Sequence, residues 1–308
     1  MTNSQEQIDL PPFSLLMSVY EGNTFHEFER AVQSGTIEQT LPPSQIVIVR
    51  DGPVGPKIQE FLDTLASTID VWFSIAEPDT PVPEVTIVPL EENAGLAHAL
   101  NKGLGYCNYD IVARADADDI SLPERFATMM PYFVGVPEGD PRPVTVLGCA
   151  IQEFADEEEE PGQIRLLPAG GEELDTYARL QSPVHHPAVI YRKSAVLEVG
   201  GYPEDAGRFE DYLLWERLMM HNARFMNLPQ PLVLYRADEQ AYERRGGSQM
   251  SRDEVQLQRQ FRKDGFITPM QYFRNVTMRS VYRLVPTKLR AKVYRSVVAR
   301  RNQNIEDD

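Results

Sequence analysis

The stretch YDIVARADADDISLPERF, residues 109–126, joins a short apolar run to a group of carboxylates. The run at 111–113 has the composition of a buried strand, and Asp116, Asp118 and Asp119 follow it closely. Carboxylates a few ångströms apart repel one another and raise each other's pKa unless a cation or a ligand offsets their charge. The stretch therefore predicts a strand that ends in a binding site for positive charge.

Strand and helix patterns alternate on both sides of this stretch through the first 150 residues. Apolar runs predict strands at 13–20, 44–52, 84–90, 109–116 and 144–154. Helical spacing predicts helices at 25–34, 56–67, 95–107 and 123–133. This order predicts an α/β fold with a Rossmann-like, mostly parallel sheet flanked by helices. Because ligands bind at the carboxyl ends of such strands, the segments after the first four strands are expected to share one site.

The character of the chain changes after residue 155, where an acidic loop is followed by helical patterns, including a strong one at 210–221. The net charge is −16, yet residues 243–301 hold 15 Lys/Arg against 4 Asp/Glu. The predicted organisation is a tail at 1–11, a main domain at 12–242 with halves 12–150 and 151–242, and a basic helical extension at 243–308.

The amino-acid sequence limits the cellular compartment and the classes of binding partner that we expect. The first residues have no signal-peptide pattern and no apolar run is long enough to span a bilayer, so we expect a cytoplasmic protein. An acidic body argues against a nucleic-acid partner. Cys107 and Cys149 form no CxxC pair, which argues against a zinc site or a disulfide framework. The basic amphipathic pattern at 274–301 fits either peripheral contact with a membrane or packing against the main domain.

A divalent metal ion, Mg²⁺ or Mn²⁺, accounts most simply for the acidic cluster, because hard cations take oxygen ligands and often bind with substrate phosphates. The simpler alternative is that Asp118 or Asp119 caps the helix that follows. A calcium loop of the EF-hand type would need Gly and Glu where Ser121 and Ala127 stand, so it is excluded. The motif of haloacid dehalogenase-type phosphatases resembles D-x-D-x-T/V, and Ile120 occupies its fifth position here. This class of phosphatase therefore fits the sequence poorly.

Five segments, in this order, resemble the bacterial family 2 glycosyltransferases of GT-A fold, in particular the amylovoran and exopolysaccharide type. They are SVYEGN (18–23), VIVRDG (47–52), NAGLAHALNKGL (93–104), RADADD (114–119) and EDYLLWERL (210–218). The resemblance covers about residues 12–240 and implies a GT-A fold with a helical C-terminal extension. It also implies inverting transfer of a sugar from a nucleotide diphosphate, with a UDP-sugar as the expected donor. A glycan or a lipid-linked sugar is the expected acceptor.

The resemblance also implies a role for each matching residue. Asp211 would be the catalytic base, because single displacement needs one carboxylate to take the acceptor's proton. Asp118 would bind the metal with help from Asp119. The expected nucleotide contacts are Val19, Tyr20, Glu21, Asp51, Asn93, Gly95, Asn101, Arg114 and Asp116. Contacts to acceptor or phosphate are expected from His186, Glu210, Trp215 and Arg236.

Several of these residues also have structural interpretations. Asp51 can serve an Asp-Gly turn, and Glu210 with Asp211 can complement a helix dipole. His186 and Trp215 can simply pack. Two other functions stay open on the sequence alone. The first is a nucleotide-sugar binding protein without catalysis, and the second is a sugar nucleotidyltransferase or phosphatase that uses the Asp cluster. The Gly-rich loop expected of a nucleotidyltransferase is missing from SVYEGNTFHE (18–27).

Overall fold

A computed structural model describes residues 9–135, 141–155, 158, 160, 162–237 and 248–284. Its strands are β1 (Phe13–Tyr20), β2 (Gln45–Asp51), β3 (Glu84–Pro89), β4 (Ile111–Arg114), β5 (Ile120–Ser121), β6 (Val144–Phe154), β7 (Ile164–Arg165), β8 (Ile190–Arg192) and β9 (Arg224–Arg236). Its α-helices are α1 (Phe25–Gly35), α2 (Pro56–Ala76), α3 (Leu96–Leu104), α4 (Arg125–Met129), α5 (Gly171–Ala178), α6 (Lys193–Glu198), α7 (Glu210–Met220), α8 (Ser248–Lys263) and α9 (Pro269–Leu284). Short 3₁₀ turns cover Met130–Phe133 and His186–Ala188.

The described strands form one nine-stranded sheet in the order β3-β2-β1-β4-β8-β6-β9-β5, with β7 beside β6. Parallel pairing joins β1 to β2 and β4, β2 to β3, and β6 to β9. The short strand β8 lies between β4 and β6 and runs antiparallel to both, so β6 regains the direction of β4. The predicted α/β architecture with a mostly parallel sheet is confirmed, although the sheet is mixed at β5, β7 and β8.

Apolar side chains on both faces explain why the central strands are apolar throughout. In β2, Ile46 and Ile48 belong to one hydrophobic cluster with α1 and α2, whereas Val47 and Val49 belong to a second one with α3 and α7. All four side chains are buried. Successive residues of a strand point to opposite faces, so a sheet covered on both sides needs apolar residues at every position. The predicted helices therefore cover the sheet on both sides.

Two element boundaries differ from the prediction for local reasons. The helix predicted at 56–67 continues to Ala76, because Ile69 and Phe73 extend its buried face. The helix predicted at 123–133 has its α-helical part only at Arg125–Met129 and then tightens into a 3₁₀ turn that contains Pro131. Proline has no N–H for the helical hydrogen bond, which explains the change at this point.

The described part of the C-terminal extension is helical, as expected. Helix α8 packs on α7 through a cluster that includes Tyr212, Leu213 and Phe261, and α9 packs against the same cluster through Tyr272. Residues 285–308, and with them much of the basic segment 274–301, lie outside the described residues. Within the described ranges, no helix combines the length and the apolar character needed to span a bilayer.

Candidate functional site

The sheet brings the predicted site segments to one edge. Neighbouring strands β2, β1 and β4 are parallel, so their carboxyl ends lie side by side. The register pairs Tyr20 with Asp51, and Leu16 of β1 pairs with Arg114 at the end of β4. The segment 115–119 follows directly. The expectation that these strand ends share one edge of the sheet is confirmed.

An acidic cluster forms where the chain turns back after β4. One carboxylate oxygen from each of Asp116, Asp118 and Asp119 lies within 4.8 Å of the others. The turn is held from β9, because the Arg236 N–H donates to Asp119 Oδ1 at 2.8 Å and Arg236 Nε donates to the Asp118 carbonyl at 3.1 Å. Pairing of β5 with β9 fixes the chain immediately afterwards. Arg236, 117 residues from Asp119 in sequence, thus lies beside the cluster.

The electrostatics of the cluster favour a bound cation. Burial, and then the charges of Asp116 and Glu27, raise the pKa of Asp118 to about 6. Burial, and then the charges of Asp116 and Asp118, raise the pKa of Asp119 well above its ordinary value. Asp119 Oδ2 is buried and accepts no hydrogen bond from the described residues. Burial and mutual repulsion destabilise the ionised carboxylates, and a hard divalent ion such as Mg²⁺ or Mn²⁺, with the three oxygens as ligands, would offset this cost.

Arg114 supplies positive charge from beneath the cluster. Its guanidinium is buried and forms an ion pair with Asp116. Its Nε and Nη1 atoms have no hydrogen-bond partner among the described residues. Arg125, also buried, donates to the Arg114 carbonyl at 2.6 Å. Two buried guanidinium groups therefore support this acidic turn, and among the described residues Arg125 Nε also has no hydrogen-bond partner.

The acidic pair Glu210 and Asp211 starts helix α7 and lies next to the same charges. Burial, and then the charge of Asp211, raise the pKa of Glu210 to about 7. Burial also raises the pKa of Asp211, while backbone N–H groups and Arg114 act in the opposite direction. Asp116 raises the pKa of both carboxyl groups. Because both groups respond to Arg114 and Asp116, the predicted base and the predicted metal cluster belong to one electrostatic unit.

Asp51 holds a loop at the neighbouring strand end. Its two carboxylate oxygens accept hydrogen bonds from the N–H groups of Ala94 at 2.8 Å and Gly95 at 3.1 Å. Gly95 has a φ of 89°, a conformation that glycine adopts without strain, and it precedes helix α3. Asn93 is exposed at the tip of this loop. In this structure Asp51 positions the loop, and a direct contact with a nucleoside stays a prediction.

Two predicted site residues lie inside the protein. Val19 is fully buried in the core, and its contact with a nucleotide stays a prediction. Trp215 is also fully buried and packs against the rings of His186, Tyr191 and Phe225. Trp215 therefore packs in the core of this structure, and a contact with the acceptor stays a prediction. By contrast, Tyr20 and Glu21 are exposed beside the strand ends.

Asn101 and His186 both form hydrogen bonds to one loop that precedes α7. The Asn101 amide donates to the Tyr202 carbonyl at 2.8 Å and to Glu204 at 3.0 Å, and its oxygen accepts from the Tyr202 N–H at 2.8 Å. His186 contacts the Tyr202 hydroxyl at 3.0 Å through Nε2. Burial lowers the pKa of His186 well below its ordinary value, so the ring is neutral. Both residues position the 201–204 segment in this structure.

Three residues near the site were missed from the sequence. Glu27 Oε1 lies 3.4 Å from Arg236 Nε, and the charge of Glu27 raises the pKa of Asp118. Arg125 supports the acidic turn through its bond to the Arg114 carbonyl. Tyr202 connects His186 to Asn101 through hydrogen bonds. The T-x-x-E pattern that ends at Glu27 predicts a helix start, and Glu27 N–H does bond to Thr24. Its position beside Arg236 depends on long-range packing, which no local pattern carries.

Metal-compatible carboxylates at the edge of a Rossmann-like sheet, with an acidic pair under the influence of the same Arg114 and Asp116, are typical of a GT-A glycosyltransferase. Residues 14–198 match the model of Glycosyl transferase family 2, and the chain belongs to this family. It is therefore a glycosyltransferase, as the five sequence motifs implied. The family assignment does not support the nucleotidyltransferase and phosphatase hypotheses.

Two relatives align over nearly their whole length. The chain is 34% identical to the amylovoran biosynthesis glycosyltransferase AmsE of Erwinia amylovora, over 92% of this chain and 97% of the relative. It is 32% identical to the UDP-Gal:alpha-D-GlcNAc-diphosphoundecaprenol beta-1,3-galactosyltransferase of Escherichia coli, over 95% of this chain and 98% of the relative. The predicted resemblance to amylovoran-type enzymes is thereby confirmed.

Solved structures agree on the fold. The mannosyltransferase PcManGT from Pyrobaculum calidifontis, in complex with GDP-Man and Mn²⁺, superposes with a TM-score of 0.56 at 18% identity, covering 92% of this chain and 72% of that one. Residues 1–349 of S. aureus TarS, in complex with UDP-GlcNAc, give a TM-score of 0.58 at 15% identity, covering 86% and 70%. At these identities the likeness supports the GT-A fold alone.

Proposed function

We propose that the chain is an inverting, metal-assisted glycosyltransferase that uses a UDP-sugar and acts in polysaccharide biosynthesis. One observation supports the proposal. The positive charge of Arg114 acts both on the acidic cluster at Asp116–Asp119 and on the pair Glu210 and Asp211. The E. coli relative, by its name, uses UDP-Gal and a diphosphoundecaprenol-linked acceptor, and AmsE acts in amylovoran biosynthesis. These names support a UDP donor and a lipid-linked or glycan acceptor for this chain as well.

The donor side of the site is built from the strand ends. Asp118 and Asp119 would hold Mg²⁺ or Mn²⁺, and the ion would stabilise negative charge on the leaving diphosphate. Arg114 holds the Asp116 carboxylate in place and has two unpaired N–H-bearing atoms left for an anionic ligand. Asp51 fixes the 94–95 backbone at the start of α3, where Asn93 and Tyr20 are exposed for contacts with the nucleoside.

Proton transfer is assigned to Asp211. Its carboxylate takes the proton of the acceptor hydroxyl while that oxygen attacks the anomeric carbon and the bond to the diphosphate breaks. Attack and departure on opposite faces of the sugar invert its configuration. Burial raises the pKa of Asp211, which strengthens it as a base, and the charge of Arg114 keeps its ionised form populated. Glu210, next to the base, would orient the acceptor.

We place this reaction in the cytoplasm, with a lipid-linked acceptor at the inner face of a membrane. Cys107 and Cys149 are buried free thiols, which fits a reducing compartment. Burial raises the pKa of the Cys107 thiol to about 12 and that of Cys149 to about 11, so both are inert packed groups. The division into a main domain at 12–242 and an extension at 243–308 is part of the same proposal.

Calorimetric titration with UDP, in the presence and absence of Mn²⁺ or Mg²⁺, tests the donor site. Binding should need the metal and should weaken at least about 10- to 100-fold in Asp118→Asn, since loss of even an outer partner of a metal costs that much. Asp211→Asn serves as the matched control and should bind UDP normally. Metal-independent binding, or equal binding by Asp118→Asn, would contradict the proposed metal site. Normal transfer of sugar by Asp211→Asn would instead favour another base.

A further inference from the structure

Helix α9 presents an exposed stripe that the glycosyl-transfer site does not use. The stripe comprises Met270, Phe273, Arg274, Thr277 and Met278, which are all exposed. Their spacing of three and four residues places them on one side of a helix. The exposed fractions are 82% for Met270, 73% for Phe273 and 53% for Met278. Large apolar side chains this exposed and this close together usually mark an interaction surface.

The opposite side of α9 is anchored, so the stripe faces away from the protein. Asn275 is fully buried, and its amide donates to the Arg179 carbonyl at 2.8 Å and to Gln258 Oε1 at 2.9 Å. Arg279 forms an ion pair with Glu254 of α8. Tyr272 packs against the cluster that joins α8 to α7. The rotation of α9 about its own axis is therefore fixed by buried contacts.

The described sequence that contains the stripe is positively charged, in contrast to the whole chain. Residues 265–284 contain Arg274, Arg279 and Arg283 and no Asp or Glu, although the whole chain has a net charge of −16. Within the stripe, the Arg274 guanidinium donates to the neutral Asn275 Oδ1 at 3.0 Å, so this bond leaves its positive charge in place. A surface that combines protruding Met and Phe with cations complements an apolar layer bordered by anions.

We propose that this stripe docks α9 into the interface of an anionic lipid bilayer. Met270, Phe273 and Met278 would enter the boundary between headgroups and acyl chains, and Arg274 would meet the anionic headgroups. A single convex helix with protruding side chains fits a flat, deformable surface. Because α9 packs on α8 and α8 packs on α7, docking would also fix the direction in which Glu210 and Asp211 face the membrane. This docking surface rests on the proposed function, which places a lipid-linked acceptor at the membrane, but it needs neither donor nor metal to bind.

Flotation of the full chain with lipid vesicles tests the docking surface. We expect binding to vesicles that contain phosphatidylglycerol and little binding to pure phosphatidylcholine vesicles. The double variant Met270→Glu/Phe273→Glu should lower the bound fraction about tenfold, because it places two anions in the apolar stripe. The matched control is Val71→Glu/Ile75→Glu, which changes two exposed apolar residues of α2, 54% and 78% exposed. The control should bind vesicles as the unchanged chain does.

Three results would overturn the proposal: no binding of the unchanged chain to anionic vesicles, equal binding by both double variants, or equal loss in both. Light scattering checks a second occupant, because a dimer that the stripe variant converts to monomers would assign the stripe to another copy of this chain. Metal-dependent binding of UDP should be unchanged in both double variants. That readout shows that they are folded and separates a failure of the docking surface from a failure of the proposed reaction.

Discussion

Replacement of Glu210 by Gln should make the protein more stable and less active. Glu210 is 8% exposed and precedes Asp211 in the chain, and burial and this neighbouring charge raise the pKa of its carboxyl group to about 7 from 4.5. Ionisation of Glu210 at neutral pH therefore costs folding free energy. A neutral Gln of nearly the same shape avoids this cost, but it removes a charge from the proposed acceptor side of the site.

The size and the pH dependence of the stability gain follow from the raised pKa. Because the folded state holds the proton more tightly, the stability that the protonated carboxyl contributes is fully present below pH 4.5 and is lost as the pH rises to about 7. One pKa unit corresponds to 1.36 kcal/mol, so Glu210→Gln should gain up to about 3 kcal/mol above pH 7. The gain should vanish near pH 4.5. Transfer should fall about 10- to 100-fold, the cost of losing one charge-assisted hydrogen bond.

Glu216 on the same helix provides a matched control. It is 2% exposed, and burial followed by the charge of Asp264 raises its pKa to about 7 as well. The charges that act on it include Asp264, directly after α8, and Arg179, directly after α5, and none of them belongs to the acidic cluster. Urea unfolding at several pH values should show a similar gain for Glu216→Gln, whereas its kcat/KM should stay unchanged. A destabilised Glu210→Gln at pH 8, or equal losses of activity in both variants, would refute this reasoning.

Two further predictions concern the loop and the packing next to the strand ends. Asp51→Asn removes one of the two carboxylate oxygens that accept hydrogen bonds from the N–H groups of Ala94 and Gly95. The KM for the donor should therefore rise about 10- to 100-fold, with a smaller change in kcat. An unchanged KM in initial-rate kinetics would show that the loop does not bind the donor. Gly103→Ala would place a methyl group against Leu16 Cδ1 and 2.8 Å from Val49 Cγ2, so it should destabilise the fold by about 1–3 kcal/mol. Gly55→Ala, which meets nothing within 4 Å, is its control and should cost at most about 0.5 kcal/mol in urea unfolding.

The first half of the sheet could be predicted because its patterns are local. The apolar runs of β1 and β2 and the helical spacing of α1 and α3 follow directly from burial on both faces. Strand β9 was missed because Pro229 and Pro231 interrupt its pattern, and register shifts opposite Cys149 and Ala150 accompany them. The three-residue strand β8 is too short to show any period.

The site could be predicted in its composition more than in its connections. The cluster at Asp116–Asp119 is visible as a local charge pattern, whereas the role of Asp211 came from the family resemblance. The bond from Arg236 to Asp119 joins residues that only the folded sheet brings together. For Trp215 the local signal was present, because Leu214 and Leu218 lie next to it on the buried side of α7. Helical spacing alone therefore favoured packing of Trp215 over its contact with an acceptor.

The central claim is that Asp211 takes the acceptor's proton in an inverting transfer. Its most direct test measures sugar transfer from a labelled UDP-sugar by the unchanged chain and by Asp211→Asn, with NMR assignment of the new anomeric linkage. We expect a product of inverted configuration and a loss of at least about 100-fold in kcat for Asp211→Asn, the usual contribution of a general base. Binding of UDP with metal should be retained. A product with the donor's own configuration, or a near-normal kcat in Asp211→Asn, would contradict the account.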